Sequence, residues 1–187
     1  MSHNSLSQNI SDILKNIPVK LEAFYLSHNS LQGNIPLPLE HLDSMKKLYL
    51  DSNGLSGSLP DFSVAFPKLQ ELDMSNQKKE YNQGLVGTIP DSFADLSFLS
   101  TLSLASNSLS GTIPPYLADL SRLQNIDLSH NMLTKTIPAV LGKLDGETMI
   151  DFGILLTINL FCRDANNHCF FIYTKVSLRS LICLEIN

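Results

Sequence analysis

Apolar residues fall at fixed intervals along this chain, and the interval pattern itself recurs. From Leu99 to Ile113, leucines stand at 99, 102, 104 and 109, with Asn107 and Gly111 between them and Pro114 after Ile113. The next stretch repeats that order with Leu123, Ile126, Leu128, Asn131, Leu133, Ile137 and Pro138. Asn107 to Asn131 is a step of 24, and Asn29 to Asn53 is again 24. Leu26, Leu31, Gly33, Ile35 and Pro36 surround the first of that earlier pair; Leu48, Leu50, Leu55, Gly57, Leu59 and Pro60 surround the second. Asn4, with Leu6 and Ile10 behind it, belongs to a still earlier unit whose front is missing. A period in this range marks stacked repeats, each too small to bury its own apolar face alone.

One unit is irregular. Leu69, Leu72 and Met74 lead to Gln77 at the asparagine position, because 53 plus 24 is 77, yet Leu85, Gly87, Ile89 and Pro90 arrive late. From Gln77 to Asn107 is 30, so six residues are inserted, near Lys78 to Gln83. The pattern then resumes in phase, which predicts an exposed polar loop on an intact stack.

Each recurring position has a physical task. The L-x-L alternation predicts a short strand with its leucines inward, so that Leu50, Met74, Leu104 and Leu128 are expected in one buried column. Strands of successive units lie parallel, about 4.8 Å apart, and need a crossover that is nearly always right-handed. The asparagines are expected to turn inward and satisfy backbone groups that would otherwise cost about 1–3 kcal/mol each. Glycine permits a positive φ or a close approach, and the proline bars a regular helix where it stands. The returning segments Leu39 to Leu42, Phe93 to Leu96, Leu117 to Leu120 and Leu141 to Leu144 space apolar residues three apart, which predicts a single short 3₁₀ or α turn.

The strings Leu31-Gln32-Gly33-Asn34-Ile35-Pro36, Leu85-Val86-Gly87-Thr88-Ile89-Pro90 and Leu109-Ser110-Gly111-Thr112-Ile113-Pro114 carry a family resemblance over residues 1 to 144. They are similar to the L-x-G-x-I-P hallmark of plant-specific leucine-rich repeats, found in receptor-like kinases, receptor-like proteins and polygalacturonase-inhibiting proteins. The resemblance implies an α/β solenoid. This is a right-handed leucine-rich-repeat superhelix with a concave parallel β-sheet and short 3₁₀ or α turns on the convex side. Residues 1–155 are read as about six repeat units, the first truncated and the last degenerate, and 156–187 as a non-repeat tail, a cap or non-native sequence. Lys135 in place of the hallmark glycine marks the stack as ending, and past Leu144 the register survives as Ile150 and Phe152.

Functionally, the resemblance implies the ectodomain of a receptor-like protein or receptor-like serine/threonine kinase. Its partners would be a protein or peptide ligand or a co-receptor, and its place the extracellular side of the plasma membrane or the cell wall. Two alternatives stand beside it: a secreted wall-associated inhibitor of the polygalacturonase-inhibiting type, and an intracellular scaffold repeat. The chain itself leaves the location open. Met1-Ser2-His3-Asn4 has neither the basic nor the apolar region of a signal peptide, and a start in mid-repeat is expected of a fragment. One sequon, Asn9-Ile10-Ser11, weighs toward secretion.

Composition narrows the partners. A formal charge of −5 and a pI near 5.4 exclude the basic stripe that nucleic acid requires, and no Lys/Arg cluster is present to hold an anionic membrane. The longest uncharged apolar-leaning run, Ile154 to Cys162, is too short to span a bilayer, so no membrane contact is expected of this segment. Cys162, Cys169 and Cys183 are an odd set that defines no disulfide framework.

No enzyme activity, cofactor or metal is expected. Asp151-Phe152-Gly153 spells the magnesium-loop tripeptide of kinases, but no glycine-rich loop, β3 lysine or H-R-D precedes it, so it reads as chance within a decayed repeat strand. His3 and His28 share one outward column about one strand spacing apart, but His130 sits four units on, so the three or four convergent ligands that zinc needs are lacking. Asp127 and Asp151 are expected side by side on the concave face, without the enclosure that acid–base chemistry demands. The candidate ligand-binding residues are Tyr25 and Tyr49, one strand apart, flanked by Lys47 and Asp51, with Asp73 beside them. Tyrosine is enriched where interfaces concentrate their energy. Ser103, Ala105 and Ser129 of the later units are smaller and weaker anchors.

Overall fold

In the computed structural model the described residues are 6–152, apart from 8, 15–19, 37–41, 78–83, 135–137 and 145–147. The inserted segment, Asn4, His3, Lys135, Leu39 to His41, Gly153 and the whole cysteine-bearing tail therefore lie outside them.

Six short strands build the first sheet: β1 (Ala23–Tyr25), β3 (Lys47–Tyr49), β5 (Glu71–Asp73), β7 (Thr101–Ser103), β9 (Asn125–Asp127) and β11 (Met149–Asp151). Every neighbouring pair is parallel, in the order β1-β3-β5-β7-β9-β11. Their central residues Phe24, Leu48, Leu72, Leu102, Ile126 and Ile150 are register partners, all buried except Phe24, which is half-buried. The step is 24 throughout except between Leu72 and Leu102, where it is 30, so the insertion leaves the register intact. Leu50, Met74, Leu104 and Leu128 follow their strands and are at most 1% exposed. Their N–H groups continue the ladder to the next unit, with Leu50 donating to the Asp73 carbonyl and Leu104 to the Asp127 carbonyl, each at 2.8 Å.

A second parallel sheet, which the hydrophobic pattern does not announce, runs through the hallmark strings. It comprises β2 (Gln32–Asn34), β4 (Gly54–Ser58), β6 (Leu85–Gly87), β8 (Ser108–Gly111) and β10 (Met132–Leu133), in the order β10-β8-β6-β4-β2. Here Gln32 pairs with Gly54, Val86 with Ser108 and Ser110 with Met132, a step of 22 rather than 24. Each unit is thus staggered by two residues on this flank and by none on the first sheet. Three 3₁₀ turns, Asp91–Asp95, Pro115–Asp119 and Ala139–Lys143, each start after a proline and supply the returning side. Two units use a short helix instead: Ile10–Leu14, and Phe62–Ala65, which is capped by Asp61, whose carboxylate accepts the Ser63 N–H at 2.9 Å. Phe62, Phe66 and Phe93, all fully buried with ring centroids 5.5 and 5.7 Å apart, fill the core behind it.

The inward asparagines are the internal framework. Asn53 Nδ2 donates to the carbonyls of Leu26 and Leu50, both at 2.9 Å, and its Oδ1 accepts the Leu31 N–H at 3.1 Å. Gln77, one unit further on, reaches the Leu50 carbonyl at 2.7 Å and accepts Leu55 N–H at 3.1 Å, and Asn107 and Asn131 repeat the asparagine set two and three units on. The residue just before each of them, His28, Ser52, Asn76, Ser106 and His130, takes a left-handed φ of 55 to 57°. The recurrence of histidine there belongs to this turn.

Glycine is required at the hallmark positions for two separable reasons. Gly87 and Gly111 share φ values of +82° and +83°, which cost an L-residue about 1–2 kcal/mol. An added Cβ on Gly111 would also stand 2.8 Å from the Thr88 methyl, whereas on Gly87 the nearest atom is 3.6 Å away. Gly111→Ala should therefore destabilise by about 1 kcal/mol more than Gly87→Ala in urea titration, the excess being overpacking. Equal losses would mean that Thr88 turns aside without cost.

Candidate functional site

The first sheet turns alternate side chains out of the core, and along β1, β3 and β5 these are the tyrosines and charged residues singled out above. Tyr25 and Tyr49 are direct register partners. Their rings are stacked, with centroids 5.1 Å apart and planes at 28°. Tyr25 remains 44% exposed, which makes it one of the few large apolar groups presented to solvent.

The pair is held from one side by a residue that was not among the candidates. Glu71 is the register partner of Lys47, and its Oε1 lies 2.8 Å from the Lys47 ammonium. Its Oε2 accepts a hydrogen bond from the Tyr49 hydroxyl. Those bonds, Lys47's first, hold the Glu71 carboxyl below the usual carboxylate range. Burial, and then the bond to Glu71, push the Tyr49 phenol up, and the bond to Glu71 raises Lys47. The signal that could have found Glu71 is the repeat step, since 47 plus 24 is 71 and the residue therefore stands beside Lys47.

Asp51 and Asp73 are placed differently. Asp51 lies past the end of β3, with its carboxylate 3.6 Å from His28 Nε2 and accepting the Ser52 hydroxyl at 3.2 Å. Asp73 is the register partner of Tyr49, but its Oδ1 accepts the Ser75 N–H at 3.0 Å, and burial raises its pKa. Asp127 repeats that turn with Ser129 N–H at 3.0 Å and the Ser129 hydroxyl at 2.6 Å, and Asp151 is its register partner. So the structure gathers Tyr25, Tyr49, Lys47 and Glu71 into one cluster, while Asp73 is committed to its own turn and Asp51 to the rim.

Asp151 ends β11 and Phe152, just past it, is buried in the core. Among the described residues no group of three His, Cys, Asp or Glu is placed to hold a metal ion, and no helix is long and apolar enough to cross a membrane.

Stacked parallel strands, an inward amide ladder and short returning turns give the described residues the fold of a leucine-rich-repeat solenoid, which is ectodomain-like. Models of the leucine-rich repeat match residues 20–42 and 80–133. The chain is similar to a probable leucine-rich-repeat receptor-like serine/threonine-protein kinase of Arabidopsis thaliana, 33% identical over 79 residues, which are 42% of this chain and 8% of the kinase. It also resembles the Arabidopsis receptor kinase HAESA, solved in complex with the peptide hormone IDA and the co-receptor SERK1. The TM-score is 0.71 at 28% identity, over 82% of this chain and 24% of that one. A third likeness is to the BIR3–SERK2 complex of Arabidopsis thaliana, with a TM-score of 0.54 at 37% identity, over 64% of this chain and 61% of that one. The chain thus spans less than two thirds of the length of each.

Proposed function

We propose that this chain is the ligand-binding leucine-rich-repeat module of a receptor-like protein or receptor-like serine/threonine kinase. It presents its concave face, on the extracellular side of the plasma membrane, to a peptide or protein ligand or a co-receptor. Residues 1–155 form the module and 156–187 a separate tail. The segment binds and does not catalyse, and it uses no cofactor. The observation that carries this reading is the Tyr25–Tyr49 stack, with Tyr25 exposed and Tyr49 braced by Glu71, which also holds Lys47. Aromatic groups fixed before binding lose little freedom when a partner arrives, and such groups dominate interface energies. The peptide hormone and co-receptor in the HAESA complex support this class of partner.

The test uses the full chain as bait for apoplastic proteins and peptides, followed by affinity measurement on whatever is retained. Tyr25→Ala combined with Tyr49→Ala should weaken binding at least tenfold, about 1.4 kcal/mol, with the unfolding transition still cooperative. Undiminished affinity in a folded double variant would place the contact elsewhere. A transcript that continues past Asn187 into a membrane span and kinase would separate the receptor kinase from the wall-associated inhibitor.

A further inference from the structure

We propose that Asn9 is an N-glycan acceptor whose sugar stands on the flank of the second sheet and leaves the concave face open. This rests on the extracellular reading above for its place in the cell, but the acceptor itself is argued from the chain. Asn9-Ile10-Ser11 is the one point in the sequence where asparagine is followed two residues later by serine or threonine. That pattern is what the secretory glycosylation machinery reads, and it works only at an accessible asparagine. Asn9 is exposed, whereas the repeat asparagines Asn29, Asn53 and Asn107 are at most 5% exposed.

The local geometry tolerates the modification. Asn9 Oδ1 accepts the Ser11 N–H at 2.9 Å, and the Ser11 hydroxyl donates to the Asn34 carbonyl at 3.3 Å. The amide oxygen is thus the atom that serves the fold, and glycosylation leaves it in place, because the sugar joins the nitrogen. Beside that nitrogen stands Gly33, where a Cβ would come within 3.1 Å of Asn9 Nδ2 and 2.8 Å of Oδ1. The missing side chain is what lets the Asn9 amide lie against β2. Asn9 bridges to Gln32 of β2, so the sugar would stem from the second sheet, while Tyr25 and Tyr49 lie on the first.

The donor is a lipid-pyrophosphate-linked oligosaccharide. Asn9 Nδ2 attacks the anomeric carbon, and a C–N bond forms as the C–O bond to the pyrophosphate breaks. The lipid pyrophosphate departs with the electron pair, and one amide proton passes to the transferase.

The test expresses the full chain behind a supplied signal peptide in plant leaves and maps glycopeptides by mass spectrometry on the pool that has entered the endoplasmic reticulum. Most molecules should carry a glycan at Asn9, with enzymatic release converting that residue to aspartate. Asn9→Gln and Ser11→Ala should each abolish the modification, and Ser11→Thr should keep it. A pool that is mainly unmodified at Asn9, or a glycan that persists in Ser11→Ala, would overturn the proposal. A glycan present with the supplied leader but absent when the natural transcript is expressed would instead count against the extracellular reading and leave the acceptor standing.

Discussion

Leu104→Ala should cost about 2–5 kcal/mol of unfolding free energy, read as a lower denaturant midpoint with little change of slope. Leu104 is fully buried and sits between Met74 and Leu128 in the column that follows the first sheet. Its backbone is fixed by the bond to the Asp127 carbonyl, and its own carbonyl accepts from both Asn107 and Asn131. The backbone around the cavity therefore has little freedom to collapse, which puts the expected loss in the upper part of that range. Val64, on the short helix, is 78% exposed and serves as the contrast: Val64→Ala should change stability by less than about 0.5 kcal/mol. If Leu104→Ala cost less than about 1 kcal/mol, the register of the stack would be wrong.

The first sheet was legible because its inward leucines alternate with polar residues at a period that only a strand satisfies. Strand position, burial of the leucine column, the six-residue excess between Leu72 and Leu102 and the residual register at Ile150 all follow from that alternation. The second sheet was not legible, for a physical reason. Gln32-Gly33-Asn34 and Ser108-Leu109-Ser110-Gly111 hold few β-branched or aromatic residues and carry glycine at positive φ. Their strands exist because neighbouring units place one backbone against the next, so tertiary stacking supplies what propensity does not. A step of 22 on this flank against 24 on the other is a property of the assembled stack that no single unit encodes.

The tyrosine pair was legible in the same way, as two outward positions one repeat apart. What spacing could not reveal was which outward side chains engage one another. Glu71 reaches back to both Lys47 and Tyr49 because register places it beside the lysine and its length spans to the phenol. Asp73, only two residues on, bends instead to the Ser75 N–H, since a short carboxylate can close a local turn more readily than it can cross between strands.

Asn107→Ala should be as damaging as the loss of a core leucine, at about 3–5 kcal/mol, although it removes a polar side chain. The amide is fully buried, accepts the Leu85 N–H at 3.0 Å and donates to the carbonyls of Met74 and Leu104 at 3.0 Å and of Ala105 at 3.2 Å. Truncation strips one donor and at least two acceptors of their partner, each at about 1–3 kcal/mol. The position matters beyond that sum. In regular units the inward amide ties a carbonyl and an N–H five residues apart, as Asn131 does with Leu104 and Leu109. Asn107 ties Met74 to Leu85, eleven residues apart, with the six inserted residues between them. It therefore pins both ends of the insertion at the separation of an ordinary turn, which is why the later units keep their phase. Two further substitutions separate the contributions. Asn107→Gln should cost about 1 kcal/mol or less, because Gln77 already serves this position with two donor contacts and one acceptor contact. Asn107→Asp should cost as much as alanine near neutral pH, because it keeps the acceptor for Leu85 but sets a buried charge against three carbonyls. Denaturant titration of the three variants decides the matter. An alanine variant within about 1 kcal/mol of the parent would show that water can replace the amide at the joint that carries the insertion.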